Sequence, residues 1–361
     1  MEHVASFDGN AEYLPDVSKI THPTISELAA EYAESGITDS IKDILKPLPV
    51  GLKQPLEYTF ANHVTKERPL SILHIADELG VSREKSLGVA ACIDVLWNVG
   101  IILDDLYDND DSNANQQPSA WARFGKKKAL AASVAAVAAS TTYTAKHYGV
   151  VEAARLSHEL RKGVSSLTQS RKLSLESPVE DYYRNYDMRS GFYTVAPIAT
   201  VGKYSDAHPD DIASAQLSLA RMNRSGQMVN DLQDFDLSSD RSRVLPYSDI
   251  RNGVASIPMR HLWNASEPES RTAFEIIYGK DSLSEDDIDF VANQVRSTGL
   301  APATLTKITD QYNTAREEYI HATQPGQRTV EWLDKWLDYK QTQADKVAAS
   351  LGSYASLVAS Q

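Results

Sequence analysis

Strand-like alternation of apolar and polar residues is almost absent from this chain, which sets aside sheets, sandwiches and barrels. Cysteine is nearly absent too. Cys92 is the single thiol, so no internal disulfide can form, and a reducing, cytoplasmic setting is expected. No consecutive apolar run approaches the ~18 residues of a bilayer-spanning helix, so no integral membrane segment is expected. Positive charge is scarce: 36 Lys and Arg against 49 Asp and Glu leave a formal net charge of −13. Nucleic-acid binders carry a basic face, so no nucleic-acid partner is expected, although a local basic pocket for a phosphate remains open. The first fifteen residues lack the basic start and apolar run of a signal peptide. No internal repeat of solenoid length occurs.

What remains is helical periodicity. With 42% apolar and 24% charged residues among 361, the composition is that of a globular protein. Helical spacing runs through 24–45, through 56–79 with a break at Pro69, and from Ser82 to Asp108. It returns over 127–148 before Gly149, over 152–175, from Pro178 through Val195, and from 206 to the 230s. Ser284 with Asp287 reads as a capping box, and 303–322 and 330–359 are again helical. The expected fold is all-α: a loose leader over 1–22, one domain of long helices around a central cavity over 23–325, and a C-terminal helical extension over 326–361.

Two acidic clusters stand out in this pattern. Asp104-Asp105-Leu106-Tyr107-Asp108 follows the apolar run from Val95 to Leu103. Asn230-Asp231-Leu232-Gln233-Asp234 follows a second apolar helical run. Asp104 and Asp108 are four apart, as are Asn230 and Asp234, so each pair shares a helix face. Each lies at the C-terminal end of its helix, where the dipole disfavours carboxylates and a cation should compensate. Facing each other across a cavity, the two faces would hold two or three Mg2+ ions bridged by a diphosphate, since Mg2+ takes few carboxylates and completes its shell with waters and phosphates.

The order of blocks sharpens this. Asp104-Asp105-x-x-Asp108, Pro118 and Phe124-Gly125, then Gly226-Gln227-x-x-Asn230-Asp231-x-x-Asp234, then Asp249-Ile250-Arg251-Asn252-Gly253, together resemble the trans-polyprenyl diphosphate synthase family. The resemblance covers roughly residues 55 to 265. It implies an all-α fold, a prenyl diphosphate substrate, Mg2+ and a homodimer. It implies metal ligands at Asp104, Asp108, Asn230 and Asp234, a catalytic part for Asp105, and a diphosphate contact from Arg189, whose Arg189-Ser190-Gly191 sits where the family has Lys-Thr-Gly. Gln169 and Gln227 would support the substrate. Val99 and Gly100, both small, would leave a deep pocket for a chain of roughly fifteen to twenty carbons.

The departures lie on the acceptor side. Chain-elongating members bind isopentenyl diphosphate through a Gly-Lys-x-x-Arg block, a histidine and an Arg-Arg pair. Here the block reads Val64-Thr65-Lys66-Glu67-Arg68, so Arg68 fits and Lys66 substitutes in part. The histidine position is Trp97, the Arg-Arg position Ala114-Asn115, and a later lysine is Val254. Each lost charge-assisted contact should cost ~1.5–3 kcal/mol of binding. Asn230 also resembles the second metal motif of class I terpene cyclases, although Ser238 stands where those carry a glutamate. By that likeness Arg184 or Arg189 would sense the diphosphate, and Arg316 with Tyr319 would stand for a downstream Arg-Tyr pair. Trp97, in place of the acceptor-side histidine, would offer an indole face to a carbocation. The first expectation is therefore a class I terpene synthase. The alternative is a prenyltransferase using an acceptor other than isopentenyl diphosphate or, less favoured, isopentenyl diphosphate itself. A third is a non-catalytic partner subunit.

Overall fold

The structure, a computed structural model, describes residues 13–16, 20, 22–63, 65–112, 117–170, 172–237, 247–280 and 282–358. The expected all-α class is borne out: among the described residues no β-strand occurs, and Ser112 and Pro118 form an isolated bridge. The helices group into two compact units.

The first unit holds the described residues up to His158 together with Ala196–His208. It contains α1 (Pro23–Glu34), α2 (Ile37–Leu45), α3 (Val50–Asn62), α4 (Glu67–Glu78), α5 (Arg83–Asp108), α6 (Ala120–Phe124) and α7 (Lys126–Tyr148). It also takes the start of α8 (Val150–Ser170) and most of α10 (Val195–Gly202). Its spine is α5, against which α2, α3, α4, α6 and α7 pack. This helix is long and apolar enough to cross a bilayer, and 72% of its most apolar window is buried inside the protein. Burial on most sides explains the composition. Counting consecutive apolar residues misses it, because the buried Asp94 and Asn98 interrupt the run. At Gly88, α5 meets α7 so closely that a Cβ would lie 2.4 Å from the Tyr148 hydroxyl and 2.8 Å from that of Tyr143.

The second unit runs over Glu159–Val195 and from Pro209 onward. Its members are the rest of α8, α9 (Val179–Ser190), α11 (Pro209–Gln233), α12 (Ser248–Asn252), α13 (Ile257–Ala265), α14 (Pro268–Ile277), α15 (Glu285–Ser297), α16 (Leu300–Thr323) and α17 (Gln327–Val358). The axis here is α11, paired along its length with α16 and flanked by α9, α13 and α17. The C-terminal stretch read as an extension is α17, which packs on α16, α11 and α15.

Helix ends follow local chemistry. The Ser284–Asp287 capping box opens α15 as expected, and Gly149 closes α7. Three breaks differ from the periodicity. Gly36, at φ 86°, separates α1 from α2 where one helix was expected. Pro69 does not interrupt a helix: it lies in the first turn of α4, which starts at Glu67, where a proline forfeits no helical hydrogen bond. The helix expected through Val195 stops at Ser190 and restarts at Val195.

Candidate functional site

The first acidic cluster ends α5. Asp104 and Asp108 are exposed on one face and Asp105 is partly covered. Asn109 terminates the helix in the left-handed conformation, φ 59°, which asparagine tolerates better than most residues. The Asp105 carbonyl accepts the Asp110 N–H at 2.9 Å and the Trp121 indole N–H at 2.9 Å. The cation that the helix dipole calls for is present: Lys126 Nζ donates to Asn109 Oδ1 and lies 4.5 Å from the Trp121 ring.

On the same unit lie the acceptor-side positions. The Arg68 guanidinium sits 3.3 Å from the centre of the Trp97 ring, and its Nη1 donates to Glu67 at 2.9 Å. The Trp97 N–H donates to His63 Nε2 at 3.0 Å. One indole face is therefore already taken by a cation, which weakens the expected use of Trp97 to stabilise a carbocation. Lys66, read as a partial substitute in that block, lies in the core. It is fully buried, 3.4 Å from Asp94, which also accepts the Tyr32 hydroxyl at 2.5 Å. Val99 is buried and Gly100 is partly buried on the following turn of α5. Ala114, Asn115 and Ser238 lie outside the described residues.

The second cluster ends α11, within the second unit. Asn230 is exposed. Asp231 is buried: the Tyr186 hydroxyl donates to one oxygen and Gln227 Nε2 to the other at 2.8 Å. Burial pushes its carboxyl up to about 6, against the pull of those two donors and of Arg189. Asp234 accepts from Ser248 N–H (2.8 Å), Ser248 Oγ (2.5 Å) and Asp249 N–H (3.0 Å), so it caps α12 from outside. Burial raises the Asp249 carboxyl well above the usual range, and the charges of Asp234 and Asp231 raise it further. Arg189 supplies a positive charge to both Asp231 and Asp249, and its Nε is buried with no hydrogen-bond partner among the described residues. Asp249 and Tyr186 thus join the site. Asp249 was visible as the first residue of the third block; nothing in the spacing singled out Tyr186.

Four further expected residues have these places. Arg184 is exposed and pairs with Asp181 at 2.8 Å, because residue 184 falls on the outer face of α9. Arg316 grips Asp334 of α17 through two bonds of 2.5 and 3.0 Å, and Tyr319 is buried. The Arg316–Asp334 pair ties α16 to α17. Gln169 is exposed near the end of α8.

The side-chain atoms of both clusters that could meet a metal are oxygens. Among the described residues no three Asp, Glu, His or Cys side chains close into a cage. Such an open set fits Mg2+, which takes one or two carboxylates and shares its shell with water and substrate phosphates, and does not fit zinc, which favours nitrogen and sulfur.

A family model for polyprenyl synthetase matches residues 49–295, more than half of the chain. The chain belongs to the polyprenyl synthetase family. Within it, the chain is similar to a geranylfarnesyl diphosphate synthase from Methanosarcina mazei, 24% identical over 211 residues, 56% of this chain and 68% of that protein. Among solved structures it resembles a polyprenyl synthase from Caulobacter crescentus, crystallised with calcium and isoprenyl diphosphate. The TM-score is 0.76 at 16% identity, covering 88% of this chain and 96% of the other. A decaprenyl diphosphate synthase from Rhodobacter capsulatus gives 0.74 at 17%, covering 89% and 99%. At such identities these two establish a polyprenyl synthetase fold. The family moves the reading from the first expectation, a terpene synthase, to its alternative, a prenyltransferase.

Proposed function

We propose that this chain is a Mg2+-dependent prenyltransferase that ionises an allylic prenyl diphosphate and passes the prenyl group to an acceptor other than isopentenyl diphosphate. The observation that carries the acceptor half is the withdrawal of cations around α4 and α5. Lys66 is sealed against Asp94, and Arg68 is spent on Trp97 and Glu67. A second diphosphate would find little positive charge there. Arg189, by contrast, keeps a buried Nε for the leaving group.

Asp104, Asp108, Asn230 and Asp234 are the residues that would hold Mg2+, as two or three ions. Once bound, Mg2+ would neutralise the diphosphate charge that develops as the allylic carbon–oxygen bond breaks. Arg189 donates to the departing phosphate oxygens and holds them. Ser248 and the Asp249 N–H fix the Asp234 carboxylate, while Tyr186 and Gln227 fix Asp231, so neither reorganises as charge moves. The acceptor's nucleophilic atom then forms a bond to the allylic carbon and releases its proton to solvent.

The test incubates farnesyl and geranylgeranyl diphosphates with Mg2+ alone, with isopentenyl diphosphate, and with indole, sugar-lipid or peptide acceptors. The proposal expects slow loss of the diphosphate alone, fast loss with an acceptor, and none after chelation. Longer prenyl diphosphates made from isopentenyl diphosphate would overturn the acceptor assignment. A hexane-soluble hydrocarbon made without acceptor would mark a cyclase, the reading that Asn230 favours. Loss of turnover in Asp104→Ala would tie the chemistry to this chain and exclude a silent partner subunit.

A further inference from the structure

The C-terminal helix reaches the second aspartate cluster. Ser350 of α17 donates to Asp236 at 2.6 Å, two residues beyond Asp234. Ser350 and Leu351 line a small cavity together with Phe235, Asp236, Tyr247 and Val295. Phe235 and Tyr247 meet there, ring centres 5.8 Å apart.

Tyr247 is the key residue. Its backbone is left-handed, φ 57° and ψ 55°, a conformation disfavoured for an aromatic side chain, and the side chain is 1% exposed. Such a residue persists only where its surroundings over-determine it. It immediately precedes Ser248 and Asp249, whose N–H groups and hydroxyl hold both oxygens of Asp234. Were Tyr247 to relax to an ordinary conformation, those donors would swing away from the carboxylate. Phe235 at the end of α11 meets its ring, and Val295 of α15 with Ser350 and Leu351 of α17 line the same small cavity.

We propose that α17 is a positioning element for the second aspartate cluster: Ser350 and Leu351 hold the Phe235–Tyr247 contact, and through it the orientation of Asp234. The inference rests on the reading of Asp234 as a metal ligand. It gives the long C-terminal helix, all of which lies beyond the family match, a part in the chemistry without any contact with substrate.

The experiment measures binding of inorganic pyrophosphate by calorimetry in saturating Mg2+. It uses the full chain, Ser350→Ala, Leu351→Ala and the conservative Ser350→Thr, with thermal unfolding of each. Ser350→Ala should weaken binding about 3- to 10-fold, the worth of one hydrogen bond. Ser350→Thr should restore it, and the melting temperatures of both should stay within a degree or so of the parent. Leu351→Ala should weaken binding at temperatures where it remains fully folded. Unchanged affinity in both alanine variants, with the parent binding normally, would overturn the role of α17 alone. Weakening that Ser350→Thr fails to reverse, and that tracks lost melting temperature, would also overturn it. No pyrophosphate binding by the parent would instead overturn the metal-site reading beneath it.

Discussion

Lys66 and Arg68 stand two positions apart and meet opposite fates. Arg68 lies flat on an indole at the margin of the fold, while Lys66 enters the core beside Asp94 and Tyr32. Burial lowers the affinity of Lys66 for its proton, and Asp94 opposes that. Removing one partner strands the other: Asp94→Asn should cost about 3–5 kcal/mol in urea unfolding. Replacing both, as Lys66→Met with Asp94→Leu, should recover most of that. The double variant should also keep the parent's turnover, because Lys66 touches no substrate in the proposed mechanism; a large rise in KM for the acceptor would contradict that. Cys92 makes a simpler case. Burial pushes its thiol up to about 12, opposed in part by a contact with Thr144. The raised value keeps the reactive thiolate absent at mildly alkaline pH. A thiol-disulfide exchange reagent should label nothing in the native protein and one thiol per chain in guanidinium, and rapid native labelling would show the site to be open.

At the scale of elements, α5 and α7 pack tightly at Gly88. A methyl there would press on the hydroxyls of Tyr143 and Tyr148, and the latter is anchored on the Lys85 carbonyl at 2.9 Å. Gly88→Ala should destabilise by about 1–3 kcal/mol of overpacking. Adding Tyr148→Phe, which vacates the space, should return part of it, so the pair should be non-additive in urea midpoints. Much of this architecture was legible in advance. The spine α5 was bounded by Ser82 and the aspartates, and the capping box of α15 was readable because it is local. The breaks at Gly36 and at 191–194 were not. A left-handed glycine between two good helical patterns leaves the periodicity almost intact. The stop after Ser190 places Gly191 against Glu159, so that a Cβ at Gly191 would fall 2.1 Å from its carboxylate, a contact between helices far apart in sequence. The site divides the same way. The i, i+4 carboxylate pairs could be read from spacing. The burial of Lys66, the stacking of Arg68 on Trp97 and the turning of Arg316 toward Asp334 depend on which face of each helix the core takes. A charged residue's spacing leaves that undetermined.

For the whole molecule, the net charge of −13 complicates any metal experiment. Excess carboxylates repel one another, so Mg2+ raises the melting temperature of such a protein by screening alone, whether or not a site exists. The informative quantity is the further rise on adding pyrophosphate at fixed Mg2+. A ligand that binds the native state at a hundred times its dissociation constant adds about 2.7 kcal/mol, a shift of several degrees. The proposed reading requires carboxylates from both helix ends. Asp104→Ala and Asp234→Ala should each keep the Mg2+ increment and lose the pyrophosphate increment. Asp234→Ala should also lower the starting melting temperature, because it uncaps α12; Asp104, exposed at the end of α5, should not. Glu331→Gln, a loss of one exposed charge on α17, controls for net charge and should behave as the parent. A pyrophosphate increment that survives Asp104→Ala would mean that the α5 aspartates serve only as a solvated helix end, and the metal assignment would fall to the α11 cluster alone.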